Sequence, residues 1–352
     1  MPTPEQQRFI LQSGILAPSA DNHHYLRFET TSNGLKIWHS EPEWPQNGGY
    51  KWAALILSFG AVAENLAIAA SRFGFHAEVE LFPDPAAPAL AFQVRWQARR
   101  VSPDPLADEI PRRHCNRRVA FRGPPLVPTV LRRLSEEVAA AYTGCNLTWL
   151  DNRERKMQAV RLLRLAEEER FRTRALHSDL FAAIRFDVGW NRGAETGLSP
   201  GSLGIERPLR PIFAWLRHWP VMRGFNLLGG SSLLGWRAAT FPCLMAPHLG
   251  AIVVDGLDDA HLFEAGRAFQ RVWLVLTQCG LVLQPMAVGA LFAFPGATAD
   301  GVPKGLQGRL IEGWDNVFPA GRPVMLFRAG RARPLSVAAS RSPLENYMVD
   351  LG

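Results

Sequence analysis

FGAVAENLAIAASRFGF (residues 59–75) and AGRAFQRVWLVLTQCGL (residues 265–281) are two segments of this chain that follow the same pattern. The glycine near the start of each segment, Gly60 or Gly266, is followed by a second glycine fourteen positions later, and small or apolar residues fill most positions between them. Each segment is predicted to form a helix that is apolar on nearly every side and ends at a glycine cap. Such helices are buried, so the repeat predicts two central helices.

The sequence on either side of the two helices also corresponds. A strand-like stretch precedes each helix (NGLKIWHS and GAIVVDG), and another stretch follows it (FHAEVELFP and LVLQPMAVG). We therefore predict an α+β fold made of two related units in one chain, residues 1–105 and 106–352. The alternative is that two buried helices merely look alike.

Further elements are predicted around this repeat. Helices are expected at PEQQRFILQSGILA, at PPLVPTVLRRLSEEVAAAY and from residue 152 to about 186, a hairpin at HYLRFETTSNGLKIWH, and strands at PALAFQVRW, CNLTWLD and PVMLFRAG. Residues from about 187 to 240 are rich in Gly, Trp and Pro and are expected to form an insertion in the second unit.

The composition is that of a globular protein. The chain has 352 residues, of which 47% are hydrophobic and 20% charged. No apolar stretch of membrane-spanning length is free of charge and proline, and the N-terminus lacks the pattern of a signal peptide. Its four cysteines show no paired spacing. We expect a reduced, cytoplasmic protein without a membrane partner.

The charge is strongly basic, with a net value of +7 and a pI of about 9.7. The 39 basic residues include four lysines, so the other 35 are arginines. Nucleic-acid binding is therefore one hypothesis. However, the arginines are spread along the chain and no nucleic-acid-binding module is recognisable, so we expect no nucleic-acid partner.

Several other chemistries find little support. Asn22, His23, His24 and His114 could ligate a metal, but no Cys or carboxylate has ligand spacing to them. Ser231 and Ser232 do not lie in a G-x-S-x-G motif, and no Rossmann or P-loop glycine motif follows a strand. We expect no metal site.

The most concentrated charge is RRHCNRR (residues 112–118), with four arginines in seven positions. Two interpretations remain open from the residues alone. The run is a solvated basic linker, or its guanidinium groups surround an anion through bidentate contacts.

Four stretches together resemble the nitroreductase family. They are APSADNHHYLRF (17–28), RRHCNRR (112–118), the two repeated helices, and FRAGRARPL with SRSPLENYM near the end of the chain. The order and spacing of the stretches most resemble the double-unit, Acg-type branch, in which one chain imitates the family's homodimer. The resemblance covers most of the chain, and the insertion matches least.

This resemblance implies an FMN site between the two units. The arginine run occurs only before the second unit and the Pro-Ser…Asn segment only in the first, so it implies one FMN per chain. The FMN phosphate would be bound by the arginines, and the ribityl chain and ring by the other segments. The implied FMN-binding residues are Arg112, Arg113, Asn116, Arg117, Pro18, Ser19, Ala20, Asn22, Gln284, Pro285, Met286 and Arg341.

The resemblance also implies an activity. Family members take a hydride from NAD(P)H onto the flavin and pass it to a small aromatic or enone-like acceptor, so we expect a small-molecule substrate. Two departures suggest the alternative of an FMN-sequestering protein with little turnover. His23, His24 and Tyr25 stand where the family often has Gln-Pro-Trp, and the insertion either forms a lid over the flavin or presents an interaction surface. The chain is expected to be a monomer or a homodimer.

Overall fold

The structure is a computed structural model that describes residues 1–40, 48–97 and 101–349. Its strands form two antiparallel four-stranded sheets. The first sheet contains β1 (Leu26–Thr31), β2 (Gly34–His39), β3 (His76–Leu81) and β4 (Leu90–Gln97). The second contains β5 (Cys145–Trp149), β6 (His248–Val254), β7 (Val282–Pro285) and β8 (Arg322–Gly330). The predicted mixture of helices and strands is confirmed.

The two sheets have the same strand order. In the first, neighbouring strands follow the order β1, β2, β4, β3, and in the second they follow β5, β6, β8, β7. A long helix connects the second and third strands of each sheet: α2 (Gly49–Ser71) lies between β2 and β3, and α10 (Asp259–Gln278) lies between β6 and β7. The repeat seen in the sequence therefore has a counterpart in the topology.

The remaining helices flank this framework. They are α1 (Pro4–Ile15), α3 (Pro128–Ala141), α4 (Arg153–Arg172), α5 (Arg174–Ala182), α6 (Arg210–Trp215), α7 (Trp219–Leu227), α8 (Gly230–Gly235), α9 (Phe241–Leu244), α11 (Val288–Leu291) and α12 (Lys304–Val317). A π-helical turn, Trp236–Thr240, joins α8 to α9. Helices α6, α7 and α8 and this turn belong to the predicted insertion, which is therefore helical.

Helices α2 and α10 pack against each other through their glycines. A Cβ atom on Gly60 would lie 2.0 Å from the Phe263 carbonyl oxygen, and one on Gly266 would lie 2.1 Å from the Leu57 carbonyl oxygen. The sequence offset that relates Gly60 to Gly266 also relates Leu57 to Phe263. The two contacts are therefore equivalent, as they are across the two-fold axis of a symmetric dimer.

A buried polar network joins the same two helices. The Glu64 carboxylate accepts a hydrogen bond of 2.8 Å from Arg271 Nε and one of 2.7 Å from the Tyr142 hydroxyl. The Asn65 side-chain oxygen accepts a hydrogen bond of 2.6 Å from Gln270 Nε2. Because an unpaired buried polar group is costly, this network favours one alignment of α2 on α10.

Most predicted elements are confirmed, and the differences lie at helix ends. The glycine caps Gly74 and Gly280 adopt positive φ angles of +78° and +72°. Helix α2 begins at Gly49, earlier than the repeat indicated, and the predicted charged helix breaks at Thr173 into α4 and α5. In the described part of the chain, α2 alone has the length and apolarity to cross a membrane, but 83% of its most apolar window is buried in the protein.

The glycine contact predicts opposite effects of alanine at two helical positions. Gly266→Ala is expected to lower the free energy of unfolding by about 1–3 kcal/mol, because the new methyl group overlaps the backbone of α2. Gly308→Ala in α12 is the matched control: nothing lies within 4 Å of the added Cβ, and alanine is expected to raise that free energy by about 0.5–1 kcal/mol. Denaturant unfolding of both variants measures the difference, and equal effects would contradict the close packing.

Candidate functional site

Two adjoining cavities lie where the N-terminal segment, the arginine run and the end of β7 meet. The larger has a volume of about 390 Å³ and the smaller a volume of about 140 Å³. Both are lined by Pro18, Ser19, Arg117, Leu198 and Pro285. Because they share these walls, one elongated molecule could occupy both cavities.

Backbone contacts hold the arginine run beside β7. Cys115 pairs with Leu283 in a parallel bridge, and the Asn116 backbone N–H donates a 3.0 Å hydrogen bond to the Leu283 carbonyl oxygen. The run begins where a 3₁₀ helix, Pro105–Arg112, ends and the chain becomes extended at Arg113. This change of conformation gives adjacent arginines different surroundings.

Arg113 is buried at the wall of the smaller cavity, with 7% of its surface exposed. Its guanidinium group lies 4.3 Å from the centre of the Trp273 ring, which belongs to α10, and donates a 2.8 Å hydrogen bond to the Leu16 carbonyl oxygen. Its buried Nε has no hydrogen-bond partner in the described part of the chain. Arg113 therefore has one hydrogen-bond donor, its Nε, that is not used within the described part of the chain.

Arg341 reaches the same cavity from the C-terminal tail. Its Nε and one terminal nitrogen donate 2.7 Å hydrogen bonds to the carbonyl oxygens of Ile15 and Ala17. Its other terminal nitrogen donates to the Asn22 side-chain oxygen. These bonds fix the guanidinium group against the loop that follows α1.

The smaller cavity is strongly electropositive. Burial, together with the nearby charge of Arg341, lowers the pKa of Arg113 to about 9, and burial lowers the pKa of Arg341 to about 10. Burial and the arginine charges also lower the pKa values of His24 and His114, which favours their neutral forms. No carboxylate among the described residues forms an ion pair with Arg113 or Arg341. An anion in this cavity would supply the missing charge.

Gln284 lines the larger cavity, and its side chain is held by a buried arginine. Arg328, from β8, donates hydrogen bonds of 2.9 and 2.6 Å to the Gln284 side-chain oxygen. It also donates to the carbonyl oxygens of Val119 and Pro242. Because the oxygen of Gln284 accepts these hydrogen bonds, its amide nitrogen is the side-chain group that remains to donate one.

The insertion supplies much of the wall of the larger cavity. Its apolar contributors are Leu198, Leu203, Ile205, Phe213, Leu234 and Ala238. The insertion is held onto the N-terminal loop by Asn22, whose Nδ2 donates hydrogen bonds of 3.1 and 3.0 Å to the carbonyl oxygens of Ala194 and Gly197. The insertion therefore lies against the larger cavity and is fixed to the loop that follows α1.

Polar residues of α2, α4 and α5 form another part of the larger cavity. The Tyr50 hydroxyl donates a 3.3 Å hydrogen bond to Asp179 Oδ2, and Arg170 forms a 3.3 Å ion pair with Glu167. Burial and then Asp179 raise the pKa of the Tyr50 hydroxyl, so it is protonated at neutral pH. The cavity thus combines apolar walls with a few fixed polar groups, as small-molecule sites do.

The structure brings most of the predicted site residues together. The smaller cavity is lined by Pro18, Ser19, Asn22, Arg113, Arg117 and Arg341. The larger is lined by Pro18, Ser19, Ala20, Arg117, Gln284, Pro285 and Met286. These segments are remote in sequence, and they meet because α2 and α10 cross.

Two predicted residues lie outside both cavities. The Arg112 side chain is 69% exposed and forms a 3.2 Å ion pair with Glu109. The Asn116 side chain donates to the Arg333 carbonyl oxygen at 3.0 Å and accepts from the Arg118 backbone N–H at 3.1 Å. Its side-chain groups are therefore used to hold the chain in place.

Sequence reasoning missed several residues of the site. Arg328 had a detectable signal, because it is a charged residue within the otherwise apolar stretch PVMLFRAG. Tyr50, Glu167, Arg170 and Asp179 had none, because only the folded chain brings α2, α4 and α5 to the cavity. Within the described ranges, no group of three or more His, Cys, Asp or Glu side chains is arranged to hold a metal ion.

Comparisons with known proteins find weak likenesses. No family model matches the sequence. An uncharacterized protein of Mycobacterium tuberculosis, MT1398, is 24% identical over 349 residues, which cover 94% of this chain and 46% of that protein. The chain thus spans about half the length of this curated relative.

Solved structures similar to this chain include two nitroreductases. The FMN-dependent nitroreductase NfnB of Mycobacterium smegmatis, solved in complex with NADPH, is 16% identical with a TM-score of 0.40, and the match covers 69% of this chain and 97% of that one. The FMN and NADPH-dependent nitroreductase NfnB of a Sphigopyxis species is 15% identical with a TM-score of 0.35, covering 70% and 99%. Likenesses of this size do not define a family.

Arg112 and Arg113 are expected to contribute differently to anion binding. Inorganic phosphate at about a hundredfold above its Kd is expected to stabilise the wild-type protein by about 2.7 kcal/mol. Arg113→Gln is expected to abolish this gain, because it removes a buried cation from the cavity wall. Arg112→Gln, the matched control, is expected to retain it. Thermal unfolding with and without phosphate measures the gain, and equal loss in both variants would contradict the assignment.

Proposed function

We propose that this chain is an FMN-dependent oxidoreductase of the nitroreductase type, with one flavin site between two fused, related units. The observation that carries the proposal is a pair of arginines, the buried Arg113 and the partly buried Arg341, which line a small cavity without a carboxylate partner among the described residues. This cavity opens beside a larger, mostly apolar one. A ligand with an anionic end and a flat apolar end matches both.

The smaller cavity fits the phosphate of FMN. A phosphate dianion accepts several charge-assisted hydrogen bonds at once, and Arg113 keeps a buried Nε without a partner in the described structure. Arg117 lines both cavities and would contact the phosphate or the ribityl chain. Ser19, whose buried hydroxyl also lacks a partner there, would contact the ribityl chain.

The larger cavity fits the isoalloxazine ring. Pro285 and Met286 would pack against the ring, and the Gln284 amide nitrogen, held in place by Arg328, would donate a hydrogen bond to a ring acceptor. When bound, FMN would supply the redox chemistry, accepting a hydride from NAD(P)H at N5 and passing it to an acceptor. A fixed donor beside the ring stabilises negative charge where it develops on reduction.

The shape of the larger cavity favours a small, flat acceptor. Leu57, Phe213 and Phe292 are among its apolar walls, whereas Asp21 and Arg170 add charged groups. Such walls bind an aromatic or enone-like molecule through the hydrophobic effect. The insertion would exclude water from the reacting atoms once the acceptor is bound.

The domain organisation belongs to the same proposal. The matching sheet orders and the equivalent glycine contacts support two related units, residues 1–105 and 106–352. The first unit supplies the Pro18–Asn22 loop and the second supplies the arginine run. Because each half-site occurs once, the chain would bind one FMN.

A second candidate function is sequestration of FMN with little turnover. It is favoured by the hydrogen bonds from Asn22 Nδ2 to Ala194 and Gly197, which fasten the insertion over the cavity. A fastened lid would slow the entry of a hydride donor. The two candidates share the flavin site and differ in whether a nicotinamide reaches it.

The flavin content of the purified protein tests the site. We expect about one FMN per chain, measured from the visible spectrum and from flavin released on denaturation. Arg113→Ala is expected to weaken FMN binding by about 2–5 kcal/mol, as is typical when one partner of a buried charge pair is removed. Arg112→Ala is expected to bind as the wild type does. A colourless protein that refuses added FMN would rule out the proposed site.

Anaerobic mixing with NADPH or NADH separates the two candidates. An oxidoreductase is expected to lose its flavin absorbance near 450 nm, which is a general property of reduced flavins, and to regain it when a quinone or nitroaromatic acceptor is added. A sequestering protein would keep its oxidised spectrum. Its flavin would still be reduced by dithionite, which needs no nicotinamide-binding site.

A further inference from the structure

Residues 207–245 present an unusual number of large apolar side chains to solvent. Leu227 and Leu228 are each 86% exposed and Trp215 is 68% exposed. The other exposed apolar residues of this segment are Leu209, Ile212, Val221, Leu233, Trp236, Phe241, Leu244 and Met245. Together these residues, here named the outer face of the insertion, form most of the exposed large apolar side chains in the described structure.

Part of the outer face is a continuous stripe along one helical rod. Helix α8, the π-helical turn and α9 follow one another without a break from Gly230 to Leu244. Leu233, Trp236, Phe241 and Leu244 are spaced by three, five and three positions, and the wider turn absorbs the extra residue. The ring centroids of Trp236 and Phe241 are 5.6 Å apart. The stripe is therefore one surface.

The charged side chains of the same segment are all basic. No acidic residue occurs between Glu206 and Asp255, whereas Arg207, Arg210, Arg217, Arg223 and Arg237 all lie in that interval. Glu206, at its edge, is already paired with Arg237. From the neighbouring helix α4, the Arg164 guanidinium group lies 5.2 Å from the centre of the Trp236 ring. The segment that carries the exposed apolar side chains therefore has a net positive charge, and Arg207, Arg217 and Arg223 are exposed.

We propose that the outer face of the insertion docks on an anionic lipid bilayer. Exposed Leu, Trp and Phe side chains enter the boundary between headgroups and acyl chains, while arginines at their edge contact lipid phosphates. Leu227 and Leu228, at the turn between α7 and α8, enter deepest because they project furthest into solvent. The protein binds peripherally.

The charge distribution disfavours a second copy of the chain as the partner. In a two-fold dimer the same patch contacts itself, so two surfaces that are both positively charged would be brought together. Like charges brought together at an interface are costly. An anionic bilayer provides the opposite charge, together with an apolar phase.

This inference departs from the expectation that the chain has no membrane partner. That expectation considered only segments long enough to span a bilayer, whereas peripheral binding depends on an exposed surface. The inner side of the same segment, including Phe213 and Leu234, lines the larger cavity. The insertion thus separates the proposed bilayer surface from the candidate site.

Co-sedimentation of the full chain with vesicles tests the proposal. Binding is expected to vesicles of phosphatidylcholine mixed with phosphatidylglycerol, to be at least about tenfold weaker to phosphatidylcholine alone, and to weaken as salt is added. The double variant Leu227→Ser, Leu228→Ser is expected to bind the anionic vesicles at least about tenfold more weakly, since it removes two inserted side chains. Both leucines are highly exposed, so folding is expected to be retained.

Two charge-reversal variants and a measurement of the molecular mass in solution complete the test. Arg223→Glu, on the outer face, is expected to reduce vesicle binding, whereas Arg309→Glu, an exposed residue of α12, is expected to leave it unchanged. Absence of vesicle binding would overturn the proposal, as would equal loss in both charge variants. A wild-type dimer that the leucine double variant converts to monomer, without vesicle binding, would instead assign the outer face to a second copy of the chain.

Discussion

The close contact between α2 and α10 is the constraint on which the rest of the structure depends. Gly60 and Gly266 let each helix meet the backbone of the other, and no other residue type leaves room for that approach. Two sheets of the same strand order are thereby placed around one core. Leu57 of α2 and Phe269 of α10 both line the larger cavity, so the distance between the two helices also affects the shape of that cavity.

The candidate site also depends on electrostatics. Arg113 and Arg341, at the smaller cavity, donate to main-chain carbonyl oxygens such as those of Leu16 and Ala17, which accept hydrogen bonds but carry no negative charge. The lowered pKa values of Arg113 and Arg341 express that imbalance. Burial lowers the pKa of Arg328 as well, to about 10, but Arg328 lines neither cavity and its guanidinium group instead orients Gln284. Similar side chains therefore have distinct roles, which are set by what surrounds each guanidinium group.

Local pattern was enough to predict the strands, the two central helices and the helices of residues 4–15, 128–141 and 153–182, because glycine caps and apolar spacing depend on neighbouring residues. The shorter helices of the insertion and helix α12 were not predicted. The convergence of Pro18–Asn22 with the arginine run came from a resemblance between motifs, not from spacing. Which arginine faces inward was beyond prediction, because it depends on the change from 3₁₀ helix to extended chain between Arg112 and Arg113. The contribution of α4 and α5 to the larger cavity likewise depends on long-range packing that no local pattern encodes.

The two central helices belong to one polypeptide, and this has a consequence for how the protein behaves when it is scarce. Helices on separate chains come apart on dilution, whereas here the connecting chain keeps each helix at a high effective concentration near the other. The contact is formed once, during folding of a single molecule, and is independent of how many other copies a cell contains. It also means that a substitution in one helix affects the contact in every molecule that carries it, because the partner helix belongs to the same chain.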